Sequence, residues 1–175
     1  KGSGYWIGEQ LLWQLSLNES AEISDYESME LSKILSKKVK DISVDHGIKS
    51  IINSEDKVKK IASLAEDVCF LAENENDLAL GIILEATREA AEYLIQLKEL
   101  MNLDDNEVIL YGNGGLLGNQ FFRRNIIKAL QFDFKSITWA LSQLSPAYGA
   151  SLIAAELHEI PLSLHDIVLK TKKNG

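Results

Sequence analysis

The segment best suited to ligand chemistry is a glycine loop that directly follows a short apolar run. Residues 108–111 read Val-Ile-Leu-Tyr, residues 112–115 read Gly-Asn-Gly-Gly, and helical spacing resumes at Asn119. A loop with so few side chains lets a ligand approach the backbone closely, and the start of a helix offers unpaired N–H groups and a positive dipole end. The pattern therefore fits an anionic ligand, and it fits a plain glycine turn after a strand equally well.

The glycine loop matches neither of two familiar phosphate-binding motifs. No Gly-Lys-Ser/Thr follows, as in a P-loop, and the third glycine of the dinucleotide fingerprint is absent. Two further segments contain small residues: residues 1–8 read Lys-Gly-Ser-Gly-Tyr-Trp-Ile-Gly, and residues 144–152 read Leu-Ser-Pro-Ala-Tyr-Gly-Ala-Ser-Leu. Gly-Ser-Gly at a terminus is also typical of a cloning remnant. The small residues of the later segment also suit close contact between a helix and a sheet.

The elements that position these segments begin with a helical layer over residues 1–106, where apolar residues recur at helical spacing. One broad apolar stripe covers residues 4–17. A short element over residues 44–52 is predicted to be interrupted by Gly47. Capping chemistry marks the other helix starts; the capping residues are Ser24 with Glu27, Ser54, and Asn76 before a long helix over residues 77–101.

Residues 107–175 are predicted to follow the order β-loop-α-β-α. The strands are expected at residues 107–111, as a buried strand, and at residues 135–141, with a helix at residues 119–130 between them. Ser145-Pro146 opens a later helix, and Ser163 with Asp166 forms a last capping box before a basic tail. The sequence therefore predicts a helix-rich α/β domain. Because two strands make an incomplete sheet, we expect part of the fold to precede Lys1.

Composition narrows the classes of function. The 175 residues are 46% hydrophobic and carry a net charge of −8, which indicates a compact domain and argues against nucleic-acid binding, since that needs clustered Lys and Arg. No apolar run approaches the roughly 20 residues that span a bilayer, and no signal-peptide pattern opens the chain, so we expect a cytoplasmic protein without membrane contact. The single cysteine, Cys69, lies among apolar residues and is predicted to be a core residue.

The three small-residue segments, in this order and spacing, resemble the N-acetylglucosamine kinase and BadF/BadG/BcrA/BcrD ATPase family of the actin and hexokinase superfamily. Residues 2–8 match the end of the family's Gly-Asp-Glu-Gly-Ser-Gly-Tyr-Trp-Ile-Gly. Residues 109–113 resemble its strand and loop of the type Val-Val-Leu-Val-Gly-Gly, with Asn113 in place of the second glycine. Residues 146–152 resemble its late Pro-Ala-x-Gly-Ala-Ala-Leu helix. The resemblance spans nearly the whole chain.

The resemblance implies that residues 1–175 form most of the second RNase H-like domain of an actin-like ATP-binding fold, with a helical part at residues 1–106 and a β-α-β-α part at residues 107–175. It implies binding of ATP with Mg²⁺, and of a sugar through residues upstream of Lys1, so that this chain alone is expected to be inactive. The residues expected to line the adenosine pocket are Gly112, Asn113, Gly114, Gly115 and Asn119. The resemblance implies no catalytic residue and no metal ligand within the chain, and a homodimer is left open.

Two alternatives to an ATP-dependent sugar kinase follow from the same residues. One is the ATPase that activates acyl-CoA reductases or dehydratases, in which cysteines hold a cluster between subunits; Cys69 has no partner cysteine here. The other is a helical interaction domain in which the glycine loop is only a turn. His46, His158 and His165 are too scattered to predict a metal site.

Overall fold

The computed structural model describes residues 2–20, 26–39, 43–103, 107–141 and 146–161. Within these residues it is a helix-rich α/β structure, as the sequence predicts, with a small two-stranded parallel sheet. The helices are α1 (Gly4–Ser20), α2 (Tyr26–Val39), α3 (Val44–Ile52), α4 (Lys57–Glu73), α5 (Asp77–Leu100), α6 (Gly115–Gly118), α7 (Gln120–Ala129) and α8 (Pro146–Leu157). The strands are β1 (Glu107–Gly112) and β2 (Ser136–Leu141).

The chain divides into two compact units, of which the larger comprises residues 1–108 and 114–138. In this helical unit α4 packs against both α1 and α5, and α7 packs against α5. The apolar stripes of the helices form its core, which includes Ile7, Leu11, Leu31, Leu64, Val68, Ile83, Phe122 and Ile126. Cys69 belongs to this core with no exposed surface, which confirms the prediction for it.

Glycine sets the distance between α1 and α4. An added Cβ at Gly8 would lie 1.9 Å from the carbonyl oxygen of Ile61, so the two helix backbones meet with no room for a side chain. Ser3 begins the helix, since its Oγ accepts a hydrogen bond from the Trp6 N–H at 3.2 Å. The glycine-rich start of the chain therefore serves helix capping and helix packing.

Two local predictions in the helical unit are wrong. Gly47 does not interrupt α3, which runs through it; a Cβ there would lie 3.0 Å from Leu35 Cδ2, so the glycine makes room for α2. Ser54 does not cap α4, because the helix begins after Asp56 and the Ser54 hydroxyl donates to the Ile51 carbonyl instead. Asn76 does cap α5, as predicted, through a hydrogen bond from the Ala79 N–H to Oδ1 at 2.9 Å.

The smaller unit comprises residues 109–113 and 139–175. Both predicted strands form, but β1 is not the buried strand that the sequence indicates: Ile109 is 57% exposed and Tyr111 is 74% exposed. The physical reason is that a two-stranded sheet has few neighbours to cover its faces, whereas parallel strands normally lie between two covering layers. In α8 the glycine does not mark a close contact, since no atom lies within 4 Å of a Cβ built on Gly149, although Ala155 of the same helix is buried.

Several predictions fall on residues that the structure does not describe, namely Ser24, Ser145, the Ser163 and Asp166 pair, His165 and the basic tail. Across the described ranges, no helix is both long enough and apolar enough to cross a bilayer.

Candidate functional site

The first residue of the predicted adenosine loop, Gly112, is the last residue of β1 and is buried. A Cβ built on it would lie 2.7 Å from Cζ2 and 2.8 Å from Nε1 of Trp139 on β2. Real side chains do not approach that closely, so the indole of Trp139 leaves room only for glycine. The absence of a side chain at Gly112 is therefore explained by packing within the sheet, without reference to a ligand.

Trp139 is the residue near the loop that sequence reasoning missed. Its Nε1 atom is buried and has no hydrogen-bond partner among the described residues. A buried donor left unsatisfied costs about 1–3 kcal/mol, and at this position the indole lies close to Gly112. The sequence did contain a signal, since Trp139 is a large aromatic residue in β2, the strand that pairs with β1.

Gly114 and Gly115 are glycine for a different reason. Gly114 has φ of +100° and ψ of 160°, a backbone conformation that side chains disfavour, and no atom lies within 4 Å of a Cβ built on it. Gly115 opens α6 and is equally free of neighbours at its Cβ position. At these two residues the backbone is thus open to close approach, which is the property that the sequence predicted for the loop.

The helix that follows the loop offers little as an anion site by itself. α6 is a single turn, held by a hydrogen bond from the Gly118 N–H to the Gly114 carbonyl at 3.2 Å. The longer helix α7 has its first turn already capped, because Asn119 Oδ1 accepts the Phe122 N–H at 3.0 Å. Asn119 therefore acts as the N-cap of α7, and the predicted binding role of its side chain competes with that hydrogen bond.

Asn113 is exposed and lies between β1 and the turn at Gly114. Two of the three cations of α7, Arg123 and Arg124, have partners. Arg123 Nη1 donates to the Leu117 carbonyl at 3.3 Å, and Arg124 forms an ion pair with Glu73. A phosphate near these arginines would therefore have to compete with existing contacts.

Neither a metal nor a thiol site emerges elsewhere in the described ranges. No three side chains of His, Cys, Asp or Glu come together there as a metal-binding group. Burial, with a smaller contribution from Glu66 and Glu73, raises the pKa of the Cys69 thiol to about 12, so the thiolate that binds metals is disfavoured. Cys69 has the properties of a structural residue.

The chain was compared with known protein families and with curated proteins. A scan against models of known protein families gives no match, and a search of curated proteins finds none with significant similarity.

Proposed function

We propose that this chain is the nucleotide-binding part of an ATP-dependent sugar kinase of the N-acetylglucosamine kinase type. In this proposal β1 and β2 belong to an RNase H-like domain, and residues 112–115 form the loop that contacts the adenosine of ATP with Mg²⁺. Phosphoryl transfer requires a positioned acceptor and charge neutralisation as well as a bound nucleotide. These would be supplied by residues that the resemblance places before Lys1.

The observation that carries the proposal is the open backbone at Gly114 and Gly115. Gly114 has a positive φ and Gly115 has no atom near its Cβ position, whereas Gly112 makes room for Trp139 and Gly8 for Ile61. A positive φ combined with free space suits a loop over which a flat ligand can lie directly against the backbone. Adenosine is proposed as that ligand because the three sequence segments, in their order, resemble the sugar kinase family.

The acyl-CoA reductase or dehydratase activator is disfavoured by the state of the cysteine. Cys69 is fully buried in α4, and its raised pKa keeps the thiol protonated. A cluster ligand must be a thiolate that the cluster can reach.

The loop assignment is tested by isothermal titration of Mg²⁺-ATP into the chain and two valine variants. Gly115→Val introduces a branched side chain where the loop backbone is open, without the strain that any side chain meets at Gly114. Gly118→Val is the matched control, because it lies in the same short helix and its Cβ position is equally free. We expect Gly115→Val to lose binding and Gly118→Val to retain it.

Two results would count against the proposal. If the wild-type chain and the Gly115→Val variant bound Mg²⁺-ATP with equal affinity, residues 112–115 would not be the adenosine loop. Binding of inorganic triphosphate as tightly as ATP would show an anion site that does not recognise adenosine.

A further inference from the structure

Helix α5 continues its buried face beyond the region where the protein covers it. In its first half, residues at spacings of three, four and seven are buried, and these are Ala79, Ile82, Ile83 and Ala86. The same spacing leads to four exposed apolar residues in its second half and at its C-cap, which we call the α5 stripe: Tyr93 (58% exposed), Leu97 (47%), Leu100 (81%) and Met101 (57%). One face of the helix is thus apolar along its whole length but covered only at its start.

The α5 stripe is distinct from the contact between α5 and α7. Beyond α7, Lys98 Nζ donates to the Asp133 carbonyl and lies 5.1 Å from the centre of the Phe134 ring. Lys98 follows Leu97 directly and therefore lies about 100° round the helix from it. Packing of α7 leaves the stripe exposed.

An acidic border runs along one side of the α5 stripe. Each residue of a helix lies about 100° round the axis from the next one. Glu92 directly precedes Tyr93 and Glu99 directly precedes Leu100, so both glutamates lie on the same side of the stripe. Glu89 lies one turn before Tyr93 on this side. Glu92 forms an ion pair with Arg88 at 3.9 Å, so this side of the helix carries three carboxylates and one guanidinium. The border gives the stripe a negative edge.

The charge of this border selects among partners. Two copies of the chain that met antiparallel about a two-fold axis would place one acidic border against the other, and the net charge of −8 opposes association of two copies in either orientation. A helix with an apolar ridge and a basic edge would instead bury the stripe and neutralise the border.

We propose that the α5 stripe is a docking surface for a basic amphipathic helix of another protein. The stripe extends over eight residue steps, about 12 Å, which matches two to three turns of a partner helix. The stripe and the nucleotide loop share no residue, so the proposal holds whether or not the loop binds ATP.

The test uses a fluorescein-labelled synthetic helix with leucines at spacings of three, four and seven and lysines along one edge of that ridge. Its fluorescence anisotropy is followed while the intact chain is titrated in. We expect saturable binding that weakens about tenfold or more in the Leu97→Ser variant. The matched control is Leu84→Ser, because Leu84 is also a leucine of α5 that is 47% exposed but faces away from the stripe; it should bind like the wild-type chain.

A charge-reversal variant keeps the proposal testable if a serine variant loses stability. Glu99 is exposed, so its replacement should leave the fold intact. The Glu99→Lys variant should bind the lysine-edged helix more weakly, and it should bind a helix with glutamates in place of those lysines more tightly. The proposal is overturned if the two helices bind equally well, if Leu84→Ser weakens binding as much as Leu97→Ser, or if no saturable binding occurs. A dimer of the chain that Leu100→Ser dissociates would also overturn it, since the stripe would then serve a second copy.

Discussion

Replacing Gly8 with alanine should force α1 and α4 apart. The new Cβ would lie 1.9 Å from the Ile61 carbonyl oxygen, whereas ordinary contact begins at 3.4 Å, so the helices must separate by about 1.5 Å. The obstacle is backbone and cannot rotate away. Overpacking of a core typically costs about 1–3 kcal/mol, and a gap of even 0.5–1 Å forfeits a quarter to a half of each dispersion contact. We take the upper end of that range, about 3 kcal/mol, for the separation.

Alanine also favours a helix over glycine by about 1 kcal/mol, which offsets part of this cost. The net expectation for Gly8→Ala is a free energy of unfolding lower by about 2 kcal/mol, or a melting temperature lower by roughly 4–8 °C for a chain of this size. Urea unfolding followed by far-ultraviolet circular dichroism measures it.

The matched control is Gly81→Ala. Gly81 is also a glycine inside a helix, but no atom lies within 4 Å of its Cβ position, so only the helix propensity changes. We expect this variant to gain about 0.5–1 kcal/mol of stability. If Gly8→Ala were as stable as Gly81→Ala, the close approach of α1 and α4 would be refuted.

Three further predictions concern side chains in both units. Gly112→Ala should lower stability by about 1–3 kcal/mol through its clash with the indole, and Trp139→Leu should restore part of that loss in the double variant, as measured by urea unfolding. Asn76→Ala removes the cap of α5 and should lower the free energy of unfolding by about 1–2 kcal/mol; an unchanged urea midpoint would contradict the capping geometry. Cys69 should react with a thiol reagent at pH 8 far more slowly in the folded protein than in urea, because burial raises its pKa to about 12. Since the unfolded thiol ionises near pH 9.0, this group stabilises the fold below that pH, and its contribution falls as the pH rises toward 12; equal labelling rates would contradict its burial.

The sequence predicts the helices well because their signals are local. Asn76 caps α5 by accepting the N–H of Ala79, only three positions ahead of it. The apolar residues of α1 and α4 recur at helical spacing, so they mark one face of each helix. Ser54 carries an ambiguous local signal, since a serine can cap a helix or donate to a preceding carbonyl, and here its hydroxyl donates to the Ile51 carbonyl.

The candidate site is less predictable because the reasons for its glycines are not local. Gly112 and Gly114 look alike in sequence, yet one makes room for Trp139 on another strand and the other adopts a positive φ in open space. The burial of β1 also depends on what covers the sheet, which an apolar run cannot specify. Asn119 could be placed at a helix start from sequence, but whether its oxygen caps the helix or meets a ligand depends on the distance to the Phe122 N–H.

The most direct test of the central claim is the melting temperature of the chain with increasing Mg²⁺-ATP. A dissociation constant of about 1 mM would add about 1.4 kcal/mol of stability at about 10 mM nucleotide, which corresponds to a rise of roughly 3–6 °C. We predict that rise with ATP, a much smaller one with inorganic triphosphate, and its loss in the Gly115→Val variant. An unchanged melting temperature at 10 mM nucleotide, or an equal rise with triphosphate, would contradict the assignment of residues 112–115 as an adenosine loop.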